Sequence, residues 1–131
     1  MRLPGFAVTA ALALSAAASA QDINWTAATR VEVALASFSF TPAPLRLRAG
    51  VPTALVLNNI SSGGHNFSAP DFFAAATIRP ADRGAVRRGA VEVRRGSAVT
   101  IALIPRAGRY RLRCTHLLHT GLVMSGEIIV E

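Results

Sequence analysis

The sequence contains no lysine; its 14 basic residues are all arginine, which reads as coding bias rather than as a functional signal. It has a single cysteine, Cys114, so an internal disulfide and the small disulfide-stapled scaffolds are excluded. No apolar run reaches the roughly 20 residues that a membrane-spanning helix needs. The longest stretch of small and apolar residues, Phe6 to Ala20, has 15. There is no internal repeat, no composition break that marks a second domain, and no interleaving of basic with aromatic residues. The last absence argues against nucleic acid as a partner.

What is present begins with an export signal. Met1 and Arg2 give a short positive start, the apolar run follows, and Ala18-Ser19-Ala20 before Gln21 fits an A-x-A cleavage site. Residues 1–20 are therefore expected to be a signal peptide, 21–29 a polar lead, and 30–131 one domain. The expectation is therefore a periplasmic protein with no transmembrane segment, and a monomer. The mature portion of 111 residues keeps 13 arginines against 7 acids, a formal charge of about +6. The surplus favours an acidic partner or an anionic membrane surface.

Beyond Thr29 the pattern is one of strands and turns. Val31, Val33 and Leu35 alternate with Glu32 and Ala34, the period of a half-buried strand, and Phe38 and Phe40 extend the alternation in the other phase. Thr41-Pro42-Ala43-Pro44 stops it, because proline cannot donate to a ladder. Leu45 and Leu47 form a second strand and Thr53 to Leu57 a third, closed by Asn58-Asn59. Asp71 to Ala76 allows one short helix, and Arg79 to Gly89 reads as a loop. Strands resume at Ala90 to Val93, Ala98 to Ile104, Tyr110 to Arg113 and Glu127 to Val130. Seven or eight short strands, with a turn signal every 8 to 12 residues, predict an all-β antiparallel sandwich.

The mature portion holds three histidines, one cysteine and one methionine, and four of these five residues form one arrangement. His65 follows the Gly63-Gly64 turn. Cys114, His119 and Met124 stand five apart in C-T-H-L-L-H-T-G-L-V-M, just before the last strand. Taken singly, each has an ordinary explanation: His65 and His119 as loop residues, Met124 as core packing, Cys114 as a buried small hydrophobe. Their conjunction points to a metal. Two imidazoles, a thiolate and a weak axial thioether suit copper in both of its oxidation states, although Cys/His clusters also serve zinc.

G-R-Y-R-L-R-C-T-H-L-L-H-T-G-L-V-M-S-G-E-I-I-V resembles the C-terminal signature of the cupredoxins, the type 1 blue copper proteins that include plastocyanins, azurins and auracyanins. N-N-I-S-S-G-G-H-N-F is similar to their upstream histidine segment, and F-S-F-T-P-A-P-L-R-L-R-A-G to their N-terminal hairpin. The resemblance covers nearly all of 31–131. It implies a Greek-key sandwich holding one copper ion, with His65, Cys114 and His119 as equatorial ligands and Met124 as the axial one. It also implies that the Asn66 backbone N–H donates to the Cys114 sulfur while its side chain ties the two ligand loops together. Two departures stand out. Val123-Met124 replaces the usual Gly-Met, and His116 is an extra histidine, which spacing to Met124 disfavours as a ligand against His119.

The expected function is one-electron transfer between redox partners such as a cytochrome or a copper oxidase with an acidic docking surface. Leu117, Leu118, Leu122 and Val123 would form the contact patch around His119. The alternative is a periplasmic carrier that delivers copper. Enzymatic turnover is not expected, since an oxidase or nitrite reductase needs a further copper site and only His116 remains to build one.

Overall fold

The computed structural model describes residues 1–3, 5, 22–116 and 124–131. The expected signal peptide lies largely outside them, as does His119 with its neighbours Leu117, Leu118, Leu122 and Val123. Among the described residues, no helix is long and apolar enough to cross a membrane.

Among the described residues, ten strands form two five-stranded sheets. They are β1 (Thr29–Ala36), β2 (Ser39–Thr41), β3 (Leu45–Leu47), β4 (Thr53–Asn59), β5 (His65–Ser68), β6 (Thr77–Ile78), β7 (Ala90–Val93), β8 (Ala98–Ile104), β9 (Gly108–Arg113) and β10 (Ser125–Val130), with one helix, α1 (Pro70–Ala75). The first sheet has the order β2-β1-β4-β8-β6 and the second β3-β10-β9-β5-β7. The all-β sandwich expected from the turn spacing, and the Greek-key form that the resemblance implies, is the architecture found, including the short helix.

The sheets are mixed rather than antiparallel. β1 runs parallel to β4, with Thr29 opposite Thr53, and β10 runs parallel to β3, with Ile128 opposite Leu45. The cause is the crossover: after β2 the chain leaves through Pro42 and Pro44, lays β3 into the other sheet, and returns as β4 beside β1. Three further strands, β2, β5 and β6, escape the sequence pattern because they are short or lie against loops. β2 is not an extension of β1. The chain turns at Ser37-Phe38, so that Ala36 pairs with Ser39. β6 lies just before the Arg79 to Gly89 region that reads as loop, a 3-10 turn at Pro80–Ala85 occupies part of that region, and Asn58 and Asn59 continue β4 instead of closing it.

The core lies between the sheets. Val33, Leu35, Leu55, Leu57, Ile101 and Leu103 face it from the first sheet, and Leu45, Phe67, Val91, Val93, Leu112 and Ile128 from the second. Phe67 is fully buried and meets Phe40 and Phe73 edge-on, each with ring centroids 5.9 Å away. This anchors β5, the strand that opens on His65. Truncating Phe67 to alanine would cost roughly 3–5 kcal/mol, so the histidine is carried by one of the firmest parts of the sandwich.

Candidate metal centre

The site forms at one end of the sandwich, where β4 and β9 finish and β5 and β10 begin. Cys114 follows β9, Met124 precedes β10, and the Cys114 N–H donates to the Met124 carbonyl at 2.9 Å. The β9–β10 ladder, in which Arg113 faces Ser125, thus brings the two sulfur residues together. Cys114 and Met124 are both buried. His65 enters from β5 with 3% of its surface exposed, and its Nδ1 lies 3.7 Å from Cys114 Sγ.

The loop that delivers His65 is held by a residue whose role the sequence did not announce. Asn59 is buried at the end of β4. Its Nδ2 donates to the carbonyls of Gly63 at 2.8 Å and Val93 at 2.9 Å, while its Oδ1 accepts from the Ser61 N–H at 2.9 Å and hydroxyl at 2.8 Å. One side chain therefore shapes the turn before His65 and fastens it to β7 in the opposite sheet. A signal was available: Asn59 stands in phase with the inward-facing Leu55 and Leu57, and a polar group at such a position needs partners.

Asn66 links the two sulfur-bearing and histidine-bearing segments. Its backbone N–H points at Cys114 Sγ, 3.4 Å away. Its side chain accepts from the Thr115 N–H at 2.8 Å and donates to Thr115 Oγ1 at 2.6 Å and Glu92 Oε1 at 3.1 Å. The extra histidine, His116, is exposed, and its Nε2 meets Glu92 Oε2 at 2.7 Å. Burial, and then the charge of His116, hold the His65 imidazole below its usual pKa, which keeps a nitrogen lone pair free near neutral pH.

The donor set fits a metal of intermediate softness. The His65–Cys114 gap is long for a strong hydrogen bond, yet an ion with bonds of about 2.0 Å to nitrogen and about 2.3 Å to sulfur, the zinc values, spans it without moving either side chain. A buried thiol facing a buried imidazole, with a buried methionine paired to the cysteine through the backbone, matches the ligand types that copper takes in electron-transfer sites. Among the described residues this donor set has one histidine; His119, the expected second, lies outside them.

No protein-family model matches the chain, and no curated protein matches it. Solved structures do. Auracyanin B aligns over 79% of this chain and 89% of its own, at 19% identity and a TM-score of 0.55. The dithionite-reduced auracyanin from the photosynthetic bacterium Roseiflexus castenholzii aligns over 79% and 98%, at 21% identity and 0.55. The chain has the cupredoxin fold. A multicopper oxidase from Campylobacter jejuni also matches, at 14% identity and a TM-score of 0.56, with 78% of this chain covering 30% of that one. The cupredoxin sandwich is thus shared with part of a larger enzyme, and the fold by itself does not separate carrier from catalyst.

Proposed function

We propose that this chain is an exported mononuclear copper protein that carries one electron between redox partners in the periplasm. The observation that carries the reading is the buried, prearranged pair of His65 Nδ1 and Cys114 Sγ, 3.7 Å apart, with the Asn66 N–H already directed at the sulfur. Copper would be held by His65, Cys114, His119 and Met124, and when bound it supplies a couple between Cu(II) and Cu(I).

The chain's own residues supply the rest. Strand ends hold the His65–Cys114 pair 3.7 Å apart, which supports a site that needs little rearrangement between oxidation states. The Asn66 N–H stabilises negative charge on the sulfur. Burial excludes water from the thiolate and protects the free cysteine from oxidation. At the same end of the sandwich, Phe38 and Ile60 are exposed, apolar surface of the kind that suits brief contact with another protein.

The test is to add Cu(II) to the purified chain and record optical and paramagnetic resonance spectra. Intense visible absorption from a copper–thiolate bond is expected, with Cys114→Ser losing the colour while the fold is retained. A colourless Cu(II) complex would end this reading.

A further inference from the structure

A groove of about 790 Å³ runs along the outer face of β5 and β7, directly behind the sulfur site. Arg87, Arg88, Arg94 and Arg113 line it, all exposed. None of the four makes an ion pair among the described residues. Glu32, Asp82, Glu127 and Glu131 each pair with an arginine elsewhere, and Glu92, the acid within the groove, is engaged by His116 and Asn66. Four like charges collected around one acid that is already engaged repel one another, so the groove favours an anionic occupant.

Ser68, itself buried, also lines the groove. Arg88 sits at φ +51° beside Gly89 at φ +72°, in the two-residue turn where Arg87 and Ala90 exchange hydrogen bonds of 2.8 and 3.0 Å. Turns of this hand favour asparagine or glycine at both central positions, yet an arginine takes the first and stands at the groove's rim.

The spacing selects the kind of anion. Arg87 and Arg88 precede β7 and Arg94 follows it, so charge is spread over the length of a four-residue strand, about 13 Å at about 3.3 Å per residue. A single small anion cannot span that distance, whereas a chain segment bearing several carboxylates can, each taken by the planar fork of a guanidinium. The groove also adjoins the site covalently: Arg113 is bonded to Cys114, and Asn66 and Thr115 line both.

We infer that this groove docks an acidic segment of a partner protein, with its carboxylates on Arg87, Arg88, Arg94 and Arg113, and so seats that partner beside Cys114. The inference rests on Cys114 being the redox centre for its purpose, but its test does not. A fluorescein-labelled peptide of alternating Asp and Glu is titrated into the metal-free full chain and followed by anisotropy. The R87Q/R88Q double variant and R113Q should each weaken binding by about tenfold, while the charge-matched R30Q/R46Q pair should change it by less than about twofold. Equal weakening by the matched pair would reduce the effect to net charge and overturn the proposal. So would displacement of the peptide by equimolar inorganic phosphate, which marks a small-anion site. Groove-dependent binding to phosphatidylglycerol vesicles without peptide binding would mark a membrane surface and overturn it too. The colour of the copper-loaded R87Q/R88Q variant should be unchanged, so failure of docking and failure of the copper reading are seen separately.

Discussion

The amide of Asn66 lies 3.4 Å from the sulfur of Cys114, although the two residues are 48 positions apart in the chain. The contact exists because β5 lies beside β9, with Ser68 opposite Arg113, and because the Asn66 side chain is clamped to Thr115 at both of its ends. Backbone and side chain of one residue thus fix the distance between the histidine-bearing and cysteine-bearing segments.

Asn66→Ala should therefore loosen the site without emptying the core. The Thr115 N–H loses its acceptor, and stability should fall by about 1–2 kcal/mol, read from urea denaturation. A double-mutant cycle with Thr115→Ala should show coupling of about 0.5–1 kcal/mol or more. Additive losses would mean that the clamp does not act as a unit.

A second joint governs acid stability. Asp82 reaches from the 3-10 turn to β8, where its Oδ2 accepts the Ala102 N–H at 2.8 Å, and it accepts from Nε and Nη2 of Arg79, each at 2.9 Å. Burial raises its pKa, but the hydrogen bonds from Arg79 and the Ala102 N–H, with the charge of Arg79, outweigh that and hold it below the usual carboxylate value. The folded protein thus binds the proton less readily than the unfolded chain. The Asp82 contribution is complete above the ordinary carboxylate pKa of about 3.9 and is lost as pH falls through the lowered folded value. Asp82→Asn should be less stable than the parent by about 1–2 kcal/mol near neutrality. Urea midpoints measured across the acid range should converge as pH falls below about 4. A gap that stays constant would show that the ion pair carries none of it.

How far these features could be read in advance varied with their physical origin. Ala98 to Ile104 was legible to the residue, because an apolar strand between two turns has one reading, and helix α1 was legible from Asp71 to Ala76. Strand β5 was not: H-N-F-S is buried on both faces, so it shows no alternation, and its membership of the sheet depends on partners that sequence does not name. The parallel pairing of β1 with β4 was invisible for the same reason, since register between distant strands leaves no local mark. His65, Cys114 and Met124 stood out because they are scarce residue types. Asn59 and Glu92, equally important to their placement, are common types whose roles arise only from where the fold puts them.

The β1–β2 turn carries strain that can be removed. Phe38 sits at φ +75° with about half its surface exposed (51%). A bulky residue in the left-handed region is disfavoured by roughly 1–2 kcal/mol, and an exposed ring recovers little of that by burial. Phe38→Asn supplies a residue that tolerates the conformation without the entropic cost of glycine. It should raise the urea midpoint, by about 0.5–1 kcal/mol in stability. A loss of stability would show that the ring has a packing role that outweighs its backbone.

The two histidines after Cys114 provide the sharpest division between metal site and scaffold. His116 is exposed, and its Nε2 is already committed to Glu92 at 2.7 Å, an acid that also receives Asn66. That places its ring on the outer face of β7, whereas His65 and Cys114 face each other in the buried interior. A ligand role for His116 would require breaking the Glu92 contact and turning the ring inward past Thr115, which Asn66 holds. His119 stands five residues before Met124 and five after Cys114, the spacing that favours it as the ligand. His116→Gln should therefore keep the copper–thiolate absorption at near-parent intensity, while His119→Gln should lose most of it, both recorded on Cu(II)-loaded protein at the same pH. The reverse pattern would move the third ligand to His116 and make the Glu92 contact a feature of the metal-free chain alone.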